Sequence, residues 1–355
     1  MSRYCFSWKS RTWVVLVAGL AACTTSTPGN PATGAASPIV PEAVATGSDA
    51  ATESRHPFSG VASWIAYHTG SATRLVHPDG TDDHQVAPDF DGELIIPNWS
   101  PDGERLAMTS RATGGSEPLY EYDLASETLR QLFACEDPCL GDDEPMYSPD
   151  GSQVAFIRAL GPFAGDRPAD CGLWVGDLAT GAVDQLTSNE ACDREYFPRW
   201  SPDGSELTYW RWREESGGTT GTAIFVIGAD GEDERQLTDW EMFGGDPDWS
   251  SNGEWIVFGT HPFQAFPPAT TQTPTESNLY RIRPDGSGTE QLTAFEPATG
   301  RAGYPRFTPD GSQILFAVQT PDGRELSLMP ADGGERITLA FSAEEGWFRG
   351  PTWQP

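Results

Sequence analysis

The side chains able to do chemistry are few. The 355 residues hold six cysteines, five histidines, and 52 acidic residues against 22 basic ones. Cys5 and Cys23 lie near an apolar N-terminal run, whereas Cys135, Cys139, Cys171 and Cys192 lie in the body of the chain. Four body cysteines suit disulfides formed in an oxidising compartment. Zinc is the competing chemistry, but a C-x3-C pair followed by widely spaced cysteines, with no histidine beside them, matches zinc spacing poorly. The histidines, His56, His68, His77, His84 and His261, form no H-E-x-x-H or comparable ligand set, and no G-x-S-x-G elbow occurs. Asp89-Phe90-Asp91-Gly92-Glu93 has the acid spacing that starts a calcium loop but lacks the later ligands. These residues assign no catalytic group, no resident metal and no cofactor.

The elements around them follow from one recurring stretch, an aromatic residue, Ser or Thr, and then Pro-Asp-Gly. It starts at Trp99, Tyr147, Trp200 and Phe307, with the variant Trp249-Ser250-Ser251-Asn252-Gly253. Pro presets the first corner, Asp tolerates the second, and Gly supplies the positive φ that closes a hairpin. Nine residues after each leading aromatic stands Met108, Phe156, Tyr209, Phe258 or Phe316, so the hairpins share one register. Third strands such as Leu279-Tyr280-Arg281-Ile282 follow, then Asp-Gly turns, then fourth strands such as Gln291-Leu292-Thr293. Four short antiparallel strands per unit make a propeller blade.

The leading aromatics are 48, 53, 49 and 58 residues apart, close to known blade lengths of roughly 40–50. Pro351-Thr352-Trp353 restates the pattern, while Trp64-Ile65-Ala66-Tyr67 reads as a second strand lacking its first. The predicted fold is therefore all-β, a six-bladed propeller over residues 58–355 closed by the C-terminal strand. Phe58-Ser59, nine residues before Tyr67, is the alternative source of the first innermost strand.

Ahead of this body, Arg3, Lys9 and Arg11 precede the apolar run Trp13 to Leu20, too short to span a bilayer and read as a signal peptide over residues 1–22. Leu20-Ala21-Ala22-Cys23 resembles the lipobox of bacterial lipoproteins. That resemblance implies cleavage before Cys23, lipidation of Cys23, and anchoring to a bacterial membrane on its extracytoplasmic side. Residues 23–57, rich in Thr, Ser, Pro, Ala and Gly, cannot bury enough apolar surface to fold and form a linker. At 5–6 Å × √n it would hold the next domain about 30 Å from the membrane.

The formal net charge of −30 would become −33 once Arg3, Lys9 and Arg11 are removed, a field that repels nucleic acid and anionic lipid. The membrane is thus reached through the lipid alone, and a monomer is expected. Strand order puts the Pro-Asp-Gly and Asp-Gly turns on one face of the propeller. Longer connections emerge on the other, including Ala159 to Asp170, Arg213 to Gly221 and His261 to Asn278. Recognition is expected on this long-loop face. Its candidate residues are Arg158, Arg211, Trp212, Arg213, Glu195, Tyr196, Asp246, His261, Tyr304 and Arg349, with Glu144 beside them. Cys171 at the opening of a third strand and Cys192 after the fourth would meet on this face, and Cys135 with Cys139 would staple a between-blade loop.

The repeats resemble the TolB-type, WD40-like (PD40) propeller repeats of bacterial envelope proteins across about residues 58–355. The resemblance implies little about function, because such blades occur in periplasmic scaffold proteins, in prolyl-oligopeptidase-like peptidases and in some lyases. The expected function is a membrane-anchored scaffold binding an envelope protein, peptide or glycan. The alternative is an envelope lyase or hydrolase with its site in the channel mouth.

Overall fold

The computed structural model of the chain describes residues 64–68, 72–77, 81–111, 117–164, 167–188, 195–214, 220–260, 276–296, 298–342 and 349–353. The recurring corner folds as its chemistry dictates. At Tyr147-Ser148-Pro149-Asp150-Gly151, the Gly151 N–H returns to Ser148 C=O at 2.9 Å, and the Ser148 hydroxyl donates to Asp150 at 2.6 Å. Asp150 also accepts the Ser152 N–H at 3.0 Å, and Ser148 Oγ accepts the Gln153 N–H at 3.0 Å. The five corner glycines, Gly103, Gly151, Gly204, Gly253 and Gly311, have φ between 70° and 74°, the left-handed region that glycine enters without steric cost.

Each corner joins the first two strands of a four-stranded antiparallel sheet, and there are six such sheets. Blade I contains β1 (Ile65–His68), β2 (Thr73–Val76) and β3 (His84–Gln85). Blade II is β4 (Glu93–Trp99), β5 (Arg105–Arg111), β6 (Leu119–Asp123) and β7 (Thr128–Gln131). Blade III is β8 (Cys139–Tyr147), β9 (Gln153–Ala164), β10 (Arg167–Asp177) and β11 (Val183–Gln185). Blade IV is β12 (Glu195–Trp200), β13 (Glu206–Glu214), β14 (Thr220–Gly228) and β15 (Arg235–Gln236). Blade V is β16 (Gly244–Trp249), β17 (Ile256–Thr260), β18 (Leu279–Ile282) and β19 (Glu290–Gln291). Blade VI is β20 (Arg301–Phe307), β21 (Gln313–Thr320), β22 (Gly323–Pro330) and β23 (Ile337–Ser342).

The last strand, β24 (Arg349–Trp353), completes blade I by pairing antiparallel with β1, Ile65 opposite Trp353 and Ala66 opposite Thr352. The C-terminal segment therefore supplies the innermost strand of blade I. Phe58, the alternative source, lies outside the described residues.

Packing between blades explains the fixed spacings. Met108, Phe156, Tyr209, Phe258 and Phe316 are fully buried, each removal from water contributing roughly 1.5–3 kcal/mol. The leading tryptophans reach sideways as well. Trp99 Nε1 donates to Thr352 C=O at 3.2 Å, Trp200 to Met146 C=O at 3.1 Å, and Trp249 to Arg199 C=O at 3.2 Å, each into the innermost strand of the preceding blade.

Two expectations need correction. Strand pairing runs farther into the stretches Ala159 to Asp170 and Arg213 to Gly221 than irregular loops would allow. β9 pairs with β10 as far as Ala164 opposite Arg167, and β13 with β14 as far as Glu214 opposite Thr220. Cys171 accordingly lies inside β10, opposite Ala159, rather than at its start. Cys135 and Cys139 form a disulfide (S–S 2.08 Å) that staples the loop entering β8. Cys171 is also disulfide-bonded, and its expected partner Cys192 lies outside the described residues.

Candidate functional site

Five innermost strands, β4, β8, β12, β16 and β20, share a register break at one equivalent position. The breaks fall between Ile95 and Asn98, Asp143 and Met146, Tyr196 and Arg199, Gly245 and Asp248, and Gly303 and Arg306. At each, a non-glycine residue takes a φ of 53–57°: Ile96, Glu144, Phe197, Asp246 and Tyr304. Left-handed backbone costs such residues about 1–2 kcal/mol, so the surroundings must hold it. Each is followed by proline, Pro97, Pro145, Pro198, Pro247 or Pro305. Proline suits a bulge on a strand whose inner edge faces the axis, since no ladder donor is lost there.

The bulges turn these five side chains toward the axis. Phe197 of blade IV and Tyr304 of blade VI meet edge to face at 6.2 Å, although blade V separates them in the ring, and Ile96 of blade II packs on the same cluster. Phe197 and Tyr304 therefore form an aromatic plug across the ring at this level. The alternating acids hold the bulged backbone. The Glu144 carboxylate accepts the Phe197 N–H, and Asp246 accepts the Tyr304 N–H. The Glu144 N–H itself donates to Thr109 Oγ1 at 3.1 Å and to Asp143 Oδ1 at 2.8 Å.

Burial dominates the electrostatics of this layer. It pushes Glu144 well above the usual carboxylate range, with the Asp143 charge adding to the shift. It also raises Asp246 to about 6, against the pull of the Arg306 and Arg199 guanidinium groups.

Two residues closer to the corner turns lies a second layer. Arg199, Asp248 and Arg306 come from blades IV, V and VI at one register position, and Arg199 and Arg306 are only 3% and 6% exposed. Each arginine curls back onto its own strand, Arg199 Nη1 donating to Pro198 C=O at 2.8 Å and Arg306 Nη1 to Pro305 C=O at 2.7 Å. Asp248 Oδ2 accepts the Phe307 N–H at 2.8 Å, and Asp248 Oδ1 stands 3.8 Å from Arg199 Nε. Burial raises the pKa of Asp248 as well.

Among the sequence-derived candidates, the structure brings Glu144, Asp246 and Tyr304 together on the axis. Arg158 and Arg211 are occupied within their own blades. Arg158 is buried and holds Asp142 through two bonds of 2.7 and 2.8 Å, and its guanidinium lies 5.3 Å from the Trp174 ring centre. Arg211 pairs with Glu234 at 2.7 Å and lies 4.5 Å from the Phe225 ring centre. Trp212 is buried, and Tyr196 stacks on Trp210 at 4.5 Å. Backbone pairing sets Glu195 opposite Arg211, Arg213 opposite Gly221, and Arg349 opposite His68. His261 lies outside the described residues. Arg199, Asp248 and Arg306 escaped the sequence reading. Their signal was the proline two positions before each leading aromatic, a second half to the repeat.

Among the described residues, one trio has metal-ligand proximity, Cys135, Cys139 and Asp142, and its two sulfurs are bonded to each other. No helix there is long and apolar enough to cross a membrane.

Comparison with known proteins agrees with this architecture. Atu1656 of Agrobacterium fabrum, an uncharacterised protein, is 26% identical over 268 residues, covering 73% of this chain and 80% of that protein. Dipeptidyl-peptidase 5 of Porphyromonas gingivalis is 26% identical over 264 residues, covering 68% of this chain but only 35% of the peptidase. The chain thus spans about a third of that enzyme. Among solved structures, TolB of Acinetobacter baumannii superposes with a TM-score of 0.62 at 21% identity, over 82% of this chain and 67% of TolB. An oligogalacturonate lyase in complex with manganese gives 0.52 at 14% identity, over 78% of this chain and 73% of the lyase, a likeness of fold alone. The family described as the TolB beta propeller domain, PD40, matches residues 57–261, more than half of the sequence, and the chain belongs to that family.

Proposed function

We propose that this protein is a lipid-anchored propeller that binds an envelope protein or peptide, or a glycan, through its long-loop face, outside the cytoplasm. Residues 1–22 serve as the signal, Cys23 carries the lipid, residues 23–57 are the tether, and residues 58–355 form the binding domain. The observation that carries the reading is the contrast between the two ends of the hairpins. On the short-loop side every corner satisfies its own polar groups. On the other side blades III and IV are drawn out, with β9 and β10 running 12 and 11 residues and β13 and β14 running 9 each, against 7 and 5 for β5 and β6. The Cys135–Cys139 bond stiffens the neighbouring loop. A raised, braced rim above a plugged axis suits contact with a large partner rather than enclosure of a small substrate.

The test is photocrosslinking in the native envelope, with the reactive residue placed at Ala164 or Thr220 on the rim, or at Glu104 in a corner turn. A discrete adduct from the rim positions is expected. Adducts from Glu104 alone, or from none of the three, would overturn the reading. Cys23→Ser should move the protein out of the membrane fraction.

A further inference from the structure

Each blade ends in an outer strand whose far edge no described strand pairs. Natural proteins keep such edges from pairing with other chains by making them short or charged. Five blades do so. β3, β15 and β19 have two residues each and β11 three, while β7, with four, carries Arg130.

Blade VI does not. β23 runs six residues, Ile337-Thr338-Leu339-Ala340-Phe341-Ser342, with no charge, no proline and no glycine. Its first residue, Ile337, is 45% exposed, the one large hydrophobic side chain this exposed among the described residues. The strand is also held in place. Ile337 and Thr338 pair with Leu328 and Ser327, and Ala340, Phe341 and Ser342 with Leu326, Glu325 and Arg324, one bulge at Leu339 separating the two runs. The bulge bends the edge without removing its outward N–H and C=O groups. Leu339 packs against the cluster of Ile65, Leu315, Leu326 and Leu328. Arg336, just before the strand, pairs with Glu325 and donates to Ser327 Oγ at 2.9 Å, so its charge is turned back onto the blade.

We propose that the outer edge of β23 is a strand-addition site that takes an extended peptide segment of uncharged, β-forming residues flanked by Lys or Arg. Main-chain hydrogen bonds supply the contact in this mode, and charge supplies the choice of partner. Glu335 is exposed just before the strand, and Glu344 and Glu345 follow it in the sequence, so acids bound the edge and basic flanks on a partner strand complement them. A second copy of the chain brings the same acids and a net charge of −30, which repels it. The site lies on the circumference of the ring, apart from the long-loop face.

Fluorescence anisotropy and amide hydrogen exchange on the full chain test this with three labelled peptides: alternating Thr and Val between lysines, the same core between glutamates, and the lysine form with proline at its centre. Saturable binding of the lysine peptide, with exchange slowed at least tenfold within residues 337–342 and unchanged in β7, supports the site. The glutamate and proline peptides should bind at least tenfold more weakly, as should the lysine peptide to a folded Ile337→Lys variant. Equal binding of the proline peptide, or slowing not confined to β23, marks attraction to the acidic surface alone and overturns the proposal. So does a lysine peptide that leaves exchange in β23 unchanged. A dimer in ultracentrifugation that Ile337→Lys disperses gives the edge to a second copy and overturns it as well. If that variant fails to fold, the exchange data on the wild type decide alone.

Discussion

Asp203 and Asp246 are the same side chain in two settings of the same repeat. Asp203 sits in a corner turn, where hydrogen bonds from the Ser201 hydroxyl, the Ser205 N–H and the Ser205 hydroxyl hold its pKa down at about 2. Asp150 is held at about 2 by the equivalent donors of Ser148 and Ser152. Asp246 has a backbone N–H and two arginines nearby, yet burial lifts it to about 6. The contrast shows that the number of donors does not decide the outcome. Local donors act on the turn carboxylates while water still reaches them, whereas the axial acids lose water before their partners can compensate.

The sharpest way to break this contrast is to remove the plug. Tyr304→Ala should cost about 3–5 kcal/mol in urea unfolding, because Tyr304 is 2% exposed and packs on Phe197. It should also admit water to Asp246 and bring its titration toward the usual 3.8. A loss below about 1 kcal/mol would mean that the axis is not packed as described.

The next test is pH. A carboxyl whose folded pKa is raised binds its proton more tightly in the folded state. Its contribution is complete below 3.8 and is lost as pH rises through about 6. Thermal stability should therefore fall between pH 5 and pH 7, and Asp246→Asn should flatten that slope and leave the protein about 1–3 kcal/mol more stable at pH 7 than the wild type. The turn aspartates work in the opposite sense, their contribution lasting above 3.8 and disappearing as pH falls through about 2.

Asp203→Ala should cost less, about 1 kcal/mol, measured by the shift in melting temperature at pH 6. A loss as large as that of Tyr304→Ala would show that the turns, and not the axis, hold the ring together. The smallest effect should come from Asn252→Asp. Asn252 already accepts from the Ser250 hydroxyl at 2.8 Å and the Glu254 N–H at 3.1 Å, so the change only adds charge to an existing turn. A shift within about 0.5 kcal/mol is expected at neutral pH, together with a new carboxyl signal titrating below 3.8 in NMR.

The blades were legible in the sequence because corner chemistry is local. Pro149, Asp150 and Gly151 specify their turn wherever they stand, and Phe156 falls on the buried face because the register is fixed from that turn. The axial layers were less legible, because their meaning arises between blades. Asp246 matters through the Tyr304 N–H, 58 residues later, and no spacing within one repeat announces that contact. The left-handed bulges were hidden too, since Ile96, Phe197 and Tyr304 are not residues that advertise positive φ. The length of the blade III hairpin was hidden because Gly161 and Pro162, residues that ordinarily interrupt strands, stand within β9.

Joining β24 to β1 also sets an order of events in time. β1 is synthesised well before its partner β24, with the strands of the five other blades in between, so one sheet edge stays unpaired until β24 has been made. Five blades can assemble during synthesis while the ring stays open. A nascent chain of this kind depends on speed of completion, or on a companion that shields the waiting edge, in a way that the finished molecule no longer reveals.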